Sequence, residues 1–293
     1  MIKCMCVYFN WTNNPLRKTT YNQFRNKFPY PLTTVEISLD NFFIEDSIKI
    51  LANDSNILWQ KERAFNLVLQ ELPDKYDKIL WVDTDVIFLN NNMLYELEDK
   101  LDEYDMVQPF ESVREYHNGK ISDNLVLNTN SYAKSLTDNN YDKTKYEDAA
   151  CGLTWAINRS IIPHGLYDKH ILGSNDMLQV QAVTLDVLNS EFIGKYTNNI
   201  VSSWVDYCKE MPLPTEHKYG IGYCSGVVEH IYHGKICNRG YQYRETLLNN
   251  YDFNPEQDIE IDSNGLYKIL NKDLQQAIKL YFNNRGVALN DSK

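Results

Sequence analysis

The chain lacks a surplus of basic charge: 29 lysines and arginines stand against 40 aspartates and glutamates, a net charge of −11. A general binder of nucleic acid or of an anionic membrane needs a basic footprint, so nucleic-acid partners are not expected, although a local basic groove stays open. Long apolar runs are also missing. None approaches the roughly 18 residues needed to span a bilayer, so no membrane segment is expected. The opening Met1-Ile2-Lys3-Cys4-Met5-Cys6-Val7-Tyr8-Phe9 is too short and aromatic for a signal peptide and suits a first strand. The six cysteines include no C-x-x-C pair. They suit reduced, buried thiols rather than a disulfide framework, which predicts a cytoplasmic protein. No G-x-x-x-x-G-K-[ST] is present, which removes the P-loop enzymes, and no H-E-x-x-H. Gly220-Ile221-Gly222 is followed by Gly226, a spacing that breaks the dinucleotide-binding fingerprint. Neither an internal repeat nor a linker stands out.

What is present centres on Lys78-Ile79-Leu80-Trp81-Val82-Asp83-Thr84-Asp85-Val86-Ile87-Phe88. Apolar runs flank a pair of carboxylates, as in a buried strand interrupted by charge. Desolvated carboxylates without a partner are too costly to keep, so the pair needs a counter-charge. In an extended chain Asp83 and Asp85 point to one face and Thr84 to the other. Two hard oxygen ligands on one face suit Mn²⁺ or Mg²⁺. A plain aspartate turn at a strand end is the simpler alternative; the apolar flanks and the downstream partners favour the metal.

Taken in order, residues 2–9 predict a strand followed by a loop over 10–15. Ligands of open α/β sheets bind beyond the carboxyl ends of strands, which makes Tyr8 and Asn10 candidate nucleotide contacts. A helix over 19–28 and a strand over 33–39 follow. Residues 57–72 form an amphipathic helix with Leu58, Phe65, Val68 and Leu72 at core spacing and Asp54 or Ser55 as cap. It carries Lys61, Arg63 and Asn66, and Pro73 ends it. Strand, helix, then apolar strand predict βαβ units and a parallel sheet. A short helix over 93–101 and a strand over 105–109 come next. Residues 111–148 are polar, with one possible helix near 131–136, and predict either a disordered segment or a functional lid.

Residues 151–157 return to strand character, and a helical turn over 160–167 leads to Ile171-Leu172-Gly173-Ser174-Asn175-Asp176. Here a strand is expected to end at the glycine, and a helix to run on to about residue 188. Asp176 suits a first-turn acid stabilised by the helix dipole, and equally a general base at the mouth of a site. The last cluster places His230 and His233 three residues apart, followed by Lys235, Arg239 and Arg244. A histidine completes an Asp-Asp-His metal site, and the cations suit a diphosphate. The tail carries a helix over 273–282 and reads as a packing extension.

These residues together resemble the metal-dependent glycosyltransferases of the GT-A fold. Asp83-Thr84-Asp85 after an apolar strand resembles their D-x-D motif. Trp59-Gln60-Lys61-Glu62-Arg63-Ala64-Phe65-Asn66, then Tyr76-Asp77, is similar to the donor-binding helix of β-1,4-galactosyltransferase-like enzymes. Gly173-Ser174-Asn175-Asp176 resembles the segment carrying the catalytic base in inverting members, and His230 and His233 match a segment of ligands three residues apart. The resemblance covers roughly residues 57–250 in order. In this chain His230 stands where the family has another ligand type, and Asn175 where it has an acid.

The resemblance implies a mixed, mostly parallel α/β sheet flanked by helices, with a GT-A domain over 1–250 and a packed C-terminal helical extension over 251–293. It implies sugar transfer from a nucleoside-diphosphate donor, a UDP-sugar above all, to a hydroxyl of a glycan, protein or small molecule, with inversion. Mn²⁺ or Mg²⁺ is expected on Asp83, Asp85, His233 and His230, and Asp176 is expected to act as base. Tyr8, Asn10, Lys61, Arg63, Asn66, Asp83, Thr84, Lys235, Arg239 and Arg244 are expected to face the donor. An Asn- and Tyr-rich chain without a secretory anchor suits a viral or bacterial enzyme. The rival functions are a sugar-nucleotide nucleotidyltransferase, for which no glycine-rich triphosphate loop is visible, and a non-catalytic carbohydrate- or metal-binding protein. Transfer onto DNA bases is disfavoured by the net charge of −11.

Overall fold

The structure, a computed structural model, describes residues 1–116, 125–139, 149–184, 194–212, 220–233 and 240–286. Its centre is a seven-stranded sheet. Strand β1 (Ile2–Phe9) is an almost unbroken apolar run. It pairs in parallel with β2 (Leu32–Ser38) on one side and with β4 (Lys78–Val82) on the other. Beyond β2 lies β3 (Ser47–Leu51), also parallel, at the sheet edge. Past β4 come β9 (Thr154–Asn158), β6 (Met106–Gln108) and β10 (Ile221–Tyr223). Only β9 runs against its neighbours, to both β4 and β6. The fold is therefore mixed α/β with a mostly parallel sheet, and its central strands are buried on both faces, which is why they read as continuous apolar stretches.

Helices cover the sheet. In α1 (Pro15–Lys27) the Asn14 side chain accepts from the Leu16 N–H and Pro15 occupies the first turn, where its missing N–H costs nothing. Helix α2 (Lys61–Glu71) buries Ala64, Phe65, Val68 and Leu69 against the sheet. It is preceded by a 3₁₀ turn at Asp54–Asn56 capped by Asn53, so the expected caps Asp54 and Ser55 lie inside the turn rather than before the helix. Trp81 and Trp155 stand directly opposite each other across β4 and β9 and are almost wholly buried. Truncating either would cost about 3–5 kcal/mol. Helix α3 (Met93–Glu103) buries Met93, Leu97 and Leu101 at helical spacing.

Several local expectations are corrected. The apolar–acid–apolar stretch is not one strand: β4 stops at Val82, Asp83–Asp85 turn, and β5 (Val86–Phe88) enters a second sheet. That four-stranded sheet runs β5, β11 (Val227–His230), β7 (Ser112–Tyr116), β8 (Leu125–Asn130). The polar stretch 111–148 thus contains a β7–β8 hairpin and helix α4 (Tyr132–Asp138), while 117–124 and 140–148 lie outside the described residues. Ile171–Gly173 form a turn and not a strand end, and α5 (Asn175–Val183) follows. Helices α6 (Asn198–Glu210) and α7 (Tyr241–Asn250) complete this flank. Beyond residue 250 the chain adds the short α8 (Pro255–Asp258), a β12–β13 hairpin (Ile259–Ile261, Tyr267–Ile269) and α9 (Lys272–Gly286). The tail is therefore not helical alone. No helix among the described residues is long and apolar enough to cross a membrane.

Candidate active site

Beyond the carboxyl ends of β1 and β4 lies a cleft of about 350 Å³, the usual ligand position in an open α/β sheet. The Asp83–Asp85 turn supplies one wall. Asp83 N–H donates to the Leu153 carbonyl at 2.7 Å, and the Thr154 hydroxyl donates to the Trp81 carbonyl at 2.8 Å, so β9 clamps the turn. Leu153 and Ser174, both lining the cleft, hold φ of 80° and 72°. Such left-handed backbone costs a side-chain-bearing residue about 1–3 kcal/mol and collects at functional sites.

The two aspartates of the turn have different partners. Asp83 faces α2, where the Lys61 ammonium lies 3.1 Å from Asp83 Oδ1 and 3.1 Å from Asp176 Oδ1, with Glu62 Oε1 at 3.4 Å. Trp81 Nε1–H donates to Asp176 Oδ1 at 3.4 Å. Burial alone would lower the Lys61 ammonium, but Asp176, Asp83 and Glu62 hold it well above the ordinary lysine range. Asp83 is pushed up to about 6, chiefly by burial and against Lys61, with the Asp176 and Asp85 charges adding. Glu62 rises to about 7 through burial, opposed by Lys61 and by the Asn175 amide, which donates to it at 2.8 Å.

Asp85 turns to the second sheet. Its Oδ2 lies 2.9 Å from His233 Nε2 and 3.8 Å from His230 Nε2, and these three residues converge as potential metal ligands within 4.8 Å of one another. Burial would raise the Asp85 carboxyl, but His233 and His230 hold it well below the carboxylate range. Its Oδ1 is buried with no hydrogen-bond partner. An orphaned carboxylate oxygen beside two imidazoles is a donor set that suits a divalent cation. Asp83 and Asp85 both line the cleft, but Asp83 pairs with Lys61 and stands outside the Asp85, His230 and His233 group.

The rest of the cleft is cationic and aromatic. Arg244 donates through Nε to Glu245 Oε1 at 3.0 Å, and Glu245 also holds the Ser174 hydroxyl at 2.8 Å and His170 Nε2 at 2.8 Å. Burial would raise Glu245, yet His170 and Arg244 lower it. Arg17 and Arg285 line the cleft with no carboxylate in ion-pair range among the described residues. Their guanidinium groups lie over Phe9 at 5.7 Å and Trp59 at 5.5 Å. Burial lowers Arg17, and the Arg285 charge lowers it further.

Of the residues expected from sequence, Asp83, Thr84, Asp85, Asp176, His230, His233, Lys61 and Arg244 line this cleft. Lys235 and Arg239 lie outside the described residues. Arg63 and Asn66 face another cavity. A helix turns about 100° per residue, so Arg63 stands roughly opposite Lys61 on α2. Arg63 donates to the Gly265 carbonyl at 2.6 Å, and Asn66 donates to the Leu166 carbonyl at 2.8 Å, so both fasten neighbouring loops. Tyr8 and Asn10 do not line the cleft either. Tyr8 packs edge-on to Tyr21 at 5.3 Å, and Asn10 ties the turn into α1 by donating to the Asn14 carbonyl at 2.9 Å. Trp59, quoted only as the start of the donor-helix segment, was given no role, and Arg17 and Arg285 were missed. Nothing in their local sequence marks them; Arg285 reaches the cleft only because α9 packs beside Trp59.

No family model and no curated protein sequence matches the chain. Among solved structures it is similar to glucosyl-3-phosphoglycerate synthase from Mycobacterium tuberculosis, in complex with Mn2+, UDP and phosphoglyceric acid, at 10% identity and a TM-score of 0.41 over 88% of this chain and 81% of that one. S. aureus TarS 1-349 gives 10% identity and a TM-score of 0.38 over 99% and 72%. The catalytic domain of Drosophila beta1,4galactosyltransferase 7, in complex with xylobiose, gives 12% and 0.32 over 79% and 71%. Each is a distant likeness of architecture and assigns no residue here.

Proposed function

We propose that the protein is a metal-dependent glycosyltransferase of the GT-A kind, moving a sugar from a nucleoside-diphosphate donor, a UDP-sugar foremost, to an acceptor hydroxyl with inversion. The observation that carries this is one cleft lined both by a three-residue candidate ligand set, Asp85, His230 and His233, and by a separate carboxylate, Asp176. Asp85, His230 and His233 would hold Mn²⁺ or Mg²⁺, which when bound acts as a Lewis acid toward the charge developing on the leaving diphosphate.

The chain's own groups do the rest. Asp176 accepts the proton of the acceptor hydroxyl as its oxygen bonds to the anomeric carbon and the bond to the diphosphate breaks, with the electron pair leaving on the phosphate oxygen. Lys61 and the Trp81 indole fix the Asp176 carboxylate in place. Arg17, Arg244 and Arg285 face the diphosphate, and Arg17 and Arg285, lacking carboxylate partners among the described residues, are the groups most relieved by its charge. Trp59 and Phe9 give the cleft apolar wall against which donor or acceptor rings can stack.

The test is hydrolysis of a panel of nucleotide sugars with Mn²⁺, Mg²⁺ or EDTA, following release of the free nucleoside diphosphate, with Asp85→Asn alongside. Metal-dependent release from one donor, lost in the variant, is expected. If no donor is hydrolysed and none binds with metal present, the protein is not such a transferase.

A further inference from the structure

Strand β11 lies between β5 and β7, antiparallel to the first and parallel to the second. In that register His230 stands opposite Val86 on one side and Glu115 on the other. The Ile231 N–H donates to the Asp85 carbonyl at 2.8 Å, extending the ladder to the turn. The second sheet thus places an acid of β7, a histidine of β11 and the aspartate preceding β5 in one row.

Within that row the His230 ring is bracketed. Its Nδ1 lies 2.7 Å from Glu115 Oε1, and its Nε2 lies 3.8 Å from Asp85 Oδ2. The ring meets His233 edge-on at 5.2 Å and is buried, with 6% of the side chain exposed. An ionised carboxylate can only accept, so the short contact to Glu115 puts the imidazole proton on Nδ1. A neutral imidazole in that tautomer carries its lone pair on Nε2, the nitrogen that faces Asp85. Glu115 itself does not line the cleft.

We infer that Glu115 is the positioning residue of the metal site: through its bond to Nδ1 it fixes the tautomer and ring orientation that make His230 a third protein ligand beside Asp85 and His233. Outer carboxylates of this kind orient ligating histidines and raise their basicity. The role rests on the metal-site assignment above. It explains why a histidine serves at this position, since a ring free to flip or to protonate at Nε2 would offer a hydrogen instead of a lone pair.

The experiment is calorimetric titration of the full chain with Mn²⁺, and with Co²⁺ followed by its visible spectrum, for wild type, Glu115→Gln and Glu115→Ala. Long-range ¹H–¹⁵N spectra of the imidazoles of the metal-free protein are taken in parallel. Wild type should show a proton on His230 Nδ1. Glu115→Ala should bind both metals about 10- to 100-fold more weakly, the range for loss of an outer-shell partner, with an altered Co²⁺ spectrum. Glu115→Gln keeps size and reach and should lose less. Glu115→Leu, which keeps bulk but cannot accept the Nδ1 proton, stands in if the alanine variant does not fold, and a wild-type affinity and spectrum in it would then overturn the role. Equal affinities and spectra in all three proteins, or an Nε2–H tautomer in wild type, overturn the role of Glu115 while leaving the metal site intact. Absence of Mn²⁺ and Co²⁺ binding by wild type overturns the metal-site assignment itself.

Discussion

Lys61 and Asp176, 115 residues apart in sequence, meet at 3.1 Å across the candidate active cleft. The same ammonium lies 3.1 Å from Asp83. One buried cation therefore ties the Asp83–Asp85 turn to the carboxylate proposed as base, and Lys61 links the two parts of the cleft.

Replacing Lys61 with methionine should destabilise the fold by about 3–5 kcal/mol, the usual cost of removing one partner from a buried charge cluster. Asp83, Asp176 and Glu62 would be left facing one another without a cation. Urea unfolding at neutral pH measures this. An unchanged midpoint and slope would mean that water already screens the cluster.

Asp176→Asn keeps the shape of the side chain but cannot accept a proton. Turnover should fall by about 10²- to 10⁴-fold, the range for a general base, while the donor dissociation constant changes little. Steady-state kinetics together with donor titration separate the two effects. Weakened donor binding at near-normal turnover would make Asp176 a structural residue.

Arg285→Gln removes a cleft cation contributed by α9. A hydrogen bond to a charged group is worth about 1.5–3 kcal/mol, so donor affinity should drop roughly 10- to 100-fold. The urea midpoint is expected to stay close to wild type, because the guanidinium has no carboxylate partner among the described residues. A donor affinity equal to wild type would reduce the C-terminal segment to a packing element.

Glu62 gives the stability a pH dependence with a definite sign. Its carboxyl, ordinarily near 4.5, is raised to about 7 in the folded chain, chiefly by burial and against Lys61. Between those values the folded state binds the proton more tightly than the unfolded state. The contribution of this group is therefore fully present below about 4.5 and is lost as pH rises through about 7. Unfolding free energies of Glu62→Gln and wild type, compared from pH 4.5 to 8, should converge at the acid end and separate above pH 7, the variant then being the more stable. A constant difference across that range would contradict the raised value.

Much of the architecture was legible. β1 and β4 are continuous apolar runs because parallel strands are buried on both faces, and α2 announces itself through its helical spacing. The acidic pair was legible as well, because carboxylates set in an apolar stretch demand a partner. What misled was continuity. Apolar residues on both sides of Asp83–Asp85 suggest one strand, whereas the chain turns there and changes sheets. The short strands β7, β8 and β11 went unread because four to six residues of mixed polarity carry no clear period. Arg63 and Asn66 were placed with Lys61 because all three lie in the segment that resembles a donor-binding helix, while helical rotation sends them to another cavity.

The sequence by itself determined the buried strands β1 and β4, the core face of α2, and that acids and histidines suited to a hard cation are present. Tertiary structure alone decided their company. It gave Asp83 to Lys61 and Asp85 to the histidines, set Glu115 behind His230, and brought Arg17 and Arg285 from opposite ends of the chain to one cleft. The physical reason is that burial and period are written locally in the chain. Which distant groups meet is set instead by sheet order, strand register and the rotation of each helix about its axis.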